Sequence, residues 1–179
     1  LLSSNIKSIR NIAKYTLLAL WIIAIAILIS IGIKQASEVA YEGKTVQKQV
    51  LNIAPTDTLQ IKFKYNDYFT KDIDDNDNFR FVQDSVNNQM IYSNNVHLEI
   101  LKTDEAAPFL KIEKTARGKS FQEAKKRAEK IQYGFQLIGN RLILDNYLLS
   151  NLSDKFRDQD VTVYLYLPDG FLFKADSSV

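Results

Sequence analysis

The chain has 179 residues, 46% of them apolar and 11% aromatic, with a net charge of +2, enough for one ordinary domain with a core and an appendage. So small a charge argues against a dedicated nucleic-acid binder. The absence of cysteine removes disulfides, thiol nucleophiles and cysteine-based metal sites, and the one histidine, His97, leaves little for a zinc enzyme or a serine–histidine triad. Leu1-Leu2 opens the chain and a strand-like run precedes Asp176-Ser177-Ser178-Val179, so the sequence reads as part of a longer protein that continues past Val179.

The first predicted element is a membrane span. Tyr15 to Ile33, YTLLALWIIAIAILISIGI, carries no charge. As a helix it covers roughly 28 Å, close to the hydrocarbon thickness of a bilayer. Tyr15 stands where an interfacial ring belongs, whereas Trp21 lies deeper. A cleaved signal peptide is the nearest rival, but the run is too long, and Ile31-Gly32-Ile33-Lys34 lacks the small-x-small cleavage pattern; Ala36-Ser37 keeps that option open. Lys7, Arg10 and Lys14 precede the span with no acid among residues 1–14, whereas Lys34 is followed by Glu38 and Glu42. This asymmetry puts 1–14 in the cytoplasm as a basic flank, 15–33 across the membrane, 34–45 in a linker and 46–179 outside.

Beyond Thr45 the period approaches two. Strands are predicted at Val46–Ile53, Leu59–Tyr65, Val96–Thr103 and Phe109–Thr115. In LQIKFKY, Leu59, Ile61, Phe63 and Tyr65 face one way and Gln60, Lys62 and Lys64 the other. Between these strands lies KDIDDNDNF. Asp72, Asp74 and Asn76 match the start of a calcium loop, but Asp77 stands where glycine is needed and Gln83 where glutamate is. An exposed acidic loop is the default, with weak calcium binding at Asp72–Asp77 as the alternative.

The stretch KTARGKSFQEAKKRAEKIQYGF departs from the strand pattern. Ser120 and Glu123 form a capping box after Gly118. Phe121, Ala124, Ala128 and Ile131 make one apolar stripe, so a helix is predicted over about 121–132 and lies on the sheet, its two alanines allowing close approach. Lys125, Lys126, Arg127 and Lys130 fall away from the stripe. A solvated face is the plain reading of these cations; contact with a partner or with lipid headgroups is the functional one. Two turns follow. Gly139-Asn140 joins Phe135–Ile138 to Leu142–Asp145 as a hairpin. Leu167-Pro168-Asp169-Gly170, with proline second and glycine fourth, separates Val161–Leu167 from Phe171–Ala175.

Chemistry is sparse. His97 points away from the face of Val96 and Leu98 and reads as a surface residue. Asp158 and Asp160 could serve a glycosidase, but carboxylates are too common for that pair to speak alone. The predicted fold is therefore mainly β: a transmembrane helix, then a solenoid-like or sandwich-like domain with one amphipathic helix. No catalytic residue, cofactor site or metal site is expected.

The run PFLKIEKTARGKSFQEAKKRAEKIQYGFQLIGNRLILDNYLL followed by FRDQDVTVYLYLPDG resembles the extracytoplasmic C-terminal, ToastRack-type region of phage-shock-protein-C (PspC) related membrane proteins, over Pro108–Phe173. The resemblance implies a bacterial inner-membrane protein linked to envelope stress, with strands in a stacked array and no catalytic residues. It implies a membrane-held sensor or scaffold that binds envelope or membrane proteins. Self-association as an adhesin-like module is the alternative, and a hydrolase with an unrecognised carboxylate site is a third reading. An apolar surface patch favours the first, open strand edges the second and an acidic pair in a pocket the third.

Overall fold

The computed structural model describes residues 11–54, 56–66, 79–84 and 86–179, with the side chains of 11 and 12 excepted. The predicted acidic loop at Asp72–Asp77, and Lys7 and Arg10 of the basic flank, lie outside these residues. The chain divides into two compact units, Leu1–Glu38 and Val39–Val179.

In the first unit, helix α1 spans Asn11–Ser37. Its interior has no proline, and apolar side chains occupy all sides. Leu17, Leu20, Trp21, Ile27 and Ile31 are all exposed, and none of the span Ala13–Ser37 is buried. A helix apolar all round that nothing among the described residues covers does not read as a soluble core helix; it has the length and composition to cross a bilayer. At its end the Ser37 hydroxyl donates to the Lys34 carbonyl at 2.8 Å, and Lys34 is the basic residue of the last turn, where a cation suits the helix dipole. Residues 34–45, predicted as a linker, are helix up to Ser37 and strand from Tyr41.

The second unit is mainly β. Strands β1 (Tyr41–Val50), β6 (Phe109–Gly118), β10 (Asp160–Pro168) and β5 (Val96–Thr103) form one sheet in that order. β6 is antiparallel to β1 and β10, and β5 is parallel to β10. A second sheet has the order β11 (Phe173–Ala175), β2 (Leu59–Lys64), β8 (Arg141–Asp145), β7 (Phe135–Ile138). Within it β11, β2 and β8 are parallel, while β7 and β8 form the predicted antiparallel hairpin. Gly139 takes φ +61 at the first central turn position, as that hairpin turn demands. A smaller antiparallel sheet joins β3 (Phe79–Gln83), β4 (Gln89–Ser93) and β9 (Leu148–Asn151). The sequence reading did not foresee it: central strand β4 buries Met90, Ile91, Tyr92 and Ser93 in succession, so its pattern has no alternation to read.

The first two sheets share one core. Val161, Val163, Leu165 and Leu167 of β10 and Leu110 and Ile112 of β6 face Leu59 and Ile61 of β2 and Leu142 and Leu144 of β8. The shared cluster suits a sandwich-like domain, while the parallel stacking of β5 on β10 and of β11, β2 and β8 suits a solenoid-like one. β1 begins five residues earlier than predicted and stops at Val50; its glycine breaks the alternating pattern there, for a reason found in the helix.

Helix α2 spans Phe121–Lys130, with Ile131 as its C-cap, two residues shorter than predicted. It lies on β1 and β6. A Cβ on Gly43 would come 2.6 Å from the Ala124 carbonyl carbon, and one on Gly118 would come 2.8 Å from the Ala124 amide. Two glycines on paired strands thus let the buried Ala124 and Ala128 sit against the sheet backbone. Phe121, the predicted first member of the stripe, is instead exposed. Half of the capping box forms: the Glu123 amide donates to Ser120 Oγ at 3.2 Å, but Glu123 turns its carboxylate to Arg127 at 2.5 Å rather than back to Ser120. The other end is held by Lys114, which donates to the Ile131 carbonyl at 2.8 Å; a strand lysine satisfies a carbonyl at the helix terminus.

The turn after β10 is also displaced by one residue. Phe171 donates to the Pro168 carbonyl at 3.1 Å, so Pro168 is the first turn residue, and Gly170, at φ +76, is the third. Position three of a type II turn requires positive φ, and glycine takes it without a side-chain penalty. The segment beyond does not fold back on β10. It crosses to the second sheet and begins pairing at Phe173.

Candidate interaction surface

Sheet alternation decides what the first sheet leaves uncovered. Its inner face meets the second sheet and α2. Its outer face carries the intervening residues in cross-strand rows. One row is Val46, Glu113, Thr162 and His97; the next is Lys48, Lys111, Tyr164 and Glu99; the third is Val50, Phe109, Tyr166 and Leu101. Val46, Val50 and Leu101 are exposed large apolar residues.

The third row forms an aromatic end. Phe109 and Tyr166 stack with centroids 4.5 Å apart, an arrangement that contributes about 1 kcal/mol beyond burial. The Lys48 ammonium lies 3.9 Å from the Phe109 ring centre, and that of Lys111 lies 4.8 Å from that of Tyr164.

The opposite end is a charged groove of about 320 Å³, lined by Glu42, Lys44, Glu113, Arg117, Asp158 and Asp160 among others. Each of three carboxylates has its own basic partner: Glu113 meets Lys44 at 3.0 Å, Asp158 meets Arg117 at 3.1 Å and Asp160 meets His97 at 3.2 Å. Burial pushes the Asp160 carboxyl above its usual range, against the opposing pull of His97 and the Thr162 hydroxyl. The loop that presents Asp158 is built on Gln159, a buried polar residue. Its side chain accepts from the Arg157 amide at 2.8 Å and donates to the Lys155 carbonyl at 2.8 Å. Lys155 and Asp158 take positive φ, 57 and 55, so Gln159 holds a strained turn in place. Nothing in the local sequence marks Gln159 out.

The structure therefore places Asp158 and Asp160 in one groove, but each is paired with its own basic side chain, and Thr162 donates to Asp160 at 3.2 Å, not to His97. Among the described residues, no group of three or more His, Asp or Glu side chains could hold a metal ion. The four cations of α2 separate into two classes. Arg127 is turned inward, donating to the Arg117 carbonyl at 3.1 Å and to Glu123, and Lys130 meets Asp154 at 2.6 Å. Lys125 and Lys126 are exposed.

The family model described as "ToastRack found in some PspC" matches residues 82–179, and that described as "PspC transmembrane region" matches residues 1–39. Among curated proteins none matches the chain. Among solved structures, "a putative adhesin from Parabacteroides merdae" is similar at 8% identity and a TM-score of 0.31, over 74% of this chain and 35% of that one. The chain thus spans about a third of that structure's length. With more than half of its length in the ToastRack match and its apolar helix in the other, the chain belongs to the PspC-associated ToastRack family as a membrane-anchored, mainly β member.

Proposed function

We propose that the chain is a non-enzymatic, membrane-anchored module of a PspC-like envelope stress-response protein, acting as a sensor or scaffold through protein contacts made outside the cytoplasm. The observation that carries this reading is the outer face of the first sheet, which nothing else among the described residues covers, with exposed Val46 on the row that enters a groove of paired charges and exposed Val50 and Leu101 at the far, aromatic end. Exposed apolar groups rimmed by charge suit a contact that forms and releases. Of the four cations on α2, Lys125 and Lys126 are the ones left to meet a partner or lipid headgroups. The charge asymmetry about α1 supports an N-terminal side in the cytoplasm.

A photo-reactive residue in place of Tyr164 tests the reading in native membranes with and without envelope stress. One stress-dependent adduct, absent when the photo-reactive group replaces Lys62 on the second sheet, is the expected result; identical adducts under both conditions overturn the sensor role. Because the chain has no cysteine, single cysteines at Ser4 and Lys174 report orientation. A membrane-impermeant maleimide is expected to label the second from outside and not the first.

A second reading, self-association, is favoured by the open edges of the same sheet.

A further inference from the structure

Among the described residues, each bounding strand of the first sheet has a side without a strand partner: β1 pairs only with β6, and β5 only with β10. Because β1 is antiparallel to β6, β6 antiparallel to β10, and β10 parallel to β5, the two open edges run in the same direction. A copy displaced sideways thus brings its β1 alongside β5 of the first copy, parallel, and the sheet continues through both.

We propose that the domain joins further copies of itself in this way, β5 of one copy against β1 of the next; the proposal rests on the self-association reading. Charge favours this pairing in its continued register. Continued in register, the cross-strand rows bring Glu99 beside the next copy's Lys48, Leu101 beside its Val50 and His97 beside its Val46. Glu99 has no ion-pair partner among the described residues, whereas Lys48 meets Glu105 of its own chain at 2.5 Å in an exposed pair that Glu99 would have to share or displace. Two β1 strands paired antiparallel about Val46 would set Lys44 opposite Lys48. Two β5 strands paired about Glu99 would set that carboxylate against itself. Like charges opposite one another oppose pairing. A slip of one residue would turn every side chain to the wrong face. Lysines on an edge strand ordinarily guard against pairing; here they oppose the same edge paired about Val46 and offer Glu99 of the other edge an opposite charge. The contact is head-to-tail and does not close, so it builds an open row. Anchoring by α1 holds the copies in one plane, which raises their effective concentration.

The test uses the full chain in its membrane. With Val50→Cys and Leu101→Cys in one chain, mild oxidation is expected to give a ladder of disulfide-linked oligomers, while each single cysteine gives monomer. Lys48→Glu or Glu99→Lys added to that background is expected to weaken the ladder about fivefold, and the two together to restore it. Formaldehyde cross-linking of the cysteine-free chain reads self-association independently. Formaldehyde oligomers without the disulfide ladder would overturn the edge pairing and leave self-association standing; monomer by both methods would overturn both. A ladder indifferent to the charge swap would overturn the register.

Discussion

The two faces of the first sheet are built from the same strands by different rules. On β10, Val161, Val163, Leu165 and Leu167 are buried, while Thr162, Tyr164 and Tyr166 between them remain partly open. Apart from Lys114, which reaches the end of α2, the inner face is aliphatic or small wherever the second sheet or α2 covers it. The outer face mixes charge with aromatic rings, and nothing else among the described residues covers it. The difference separates stability from contact: changes inside should unfold the domain, and changes outside should leave it folded and alter what it touches.

The largest expected effect is on the inner face. Leu165→Ala should cost about 3 kcal/mol through lost burial and a residual cavity, whereas Tyr166→Ala on the opposite face should cost about 1.5 kcal/mol through lost stacking and partial burial; urea unfolding of both would break the comparison if the two costs were equal. Gly43→Ala should cost about 2 kcal/mol, because the new Cβ meets helix backbone rather than a side chain that can move aside. Thermal melts against Gly139→Ala, where a Cβ has open space but φ is positive, separate crowding from turn strain. Arg127→Ala should cost about 1.5 kcal/mol, since it removes the shorter of the two cation contacts to Glu123 and the bond to the Arg117 carbonyl, whereas Lys126→Ala should change the melt hardly at all.

The smallest effect concerns pH. Burial raises the Asp160 carboxyl above its unfolded value. The native state then holds that proton more tightly than the unfolded chain, so this stabilisation is full below the ordinary carboxylate range and is lost as pH rises through the raised value. Asp160→Asn should flatten that part of the melting-temperature profile; an unchanged slope would show that the groove's other carboxylates dominate it.

Where pattern is local, the sequence carried the fold. Val96–Thr103 is a strand to the residue, the Gly139-Asn140 hairpin pairs as expected, and Ser120 caps α2. What it hid was decided across long separations. Lys114 reads as one more strand lysine until α2 ends beside it. Gly43 looks like a break in a strand until Ala124 lies against it. Phe121 has the spacing of a core residue but stands exposed, because the close approach of the helix rests on alanines rather than large side chains. The Asp160–His97 pair joins residues of two strands whose parallel pairing no local pattern announces. Arg127 and Lys130 shared one charged face with Lys125 and Lys126 in the sequence, and only their partners tell them apart.

Strand β2 has neighbours on both sides, and both come late. β8 is drawn from Arg141–Asp145 and β11 from Phe173–Ala175, and the Phe63 amide reaches Ser178 Oγ at 3.0 Å. As the chain emerges in order during synthesis, Leu59–Lys64 therefore waits with one edge unpaired until β8 begins, 77 positions after Lys64, and with the other until β11 begins, 109 positions after it. Such long-range closure is slow, and an unpaired strand that waits is open to the wrong partner. The alternating lysines and glutamine of LQIKFK, which do little for the finished core, keep that strand soluble through the delay.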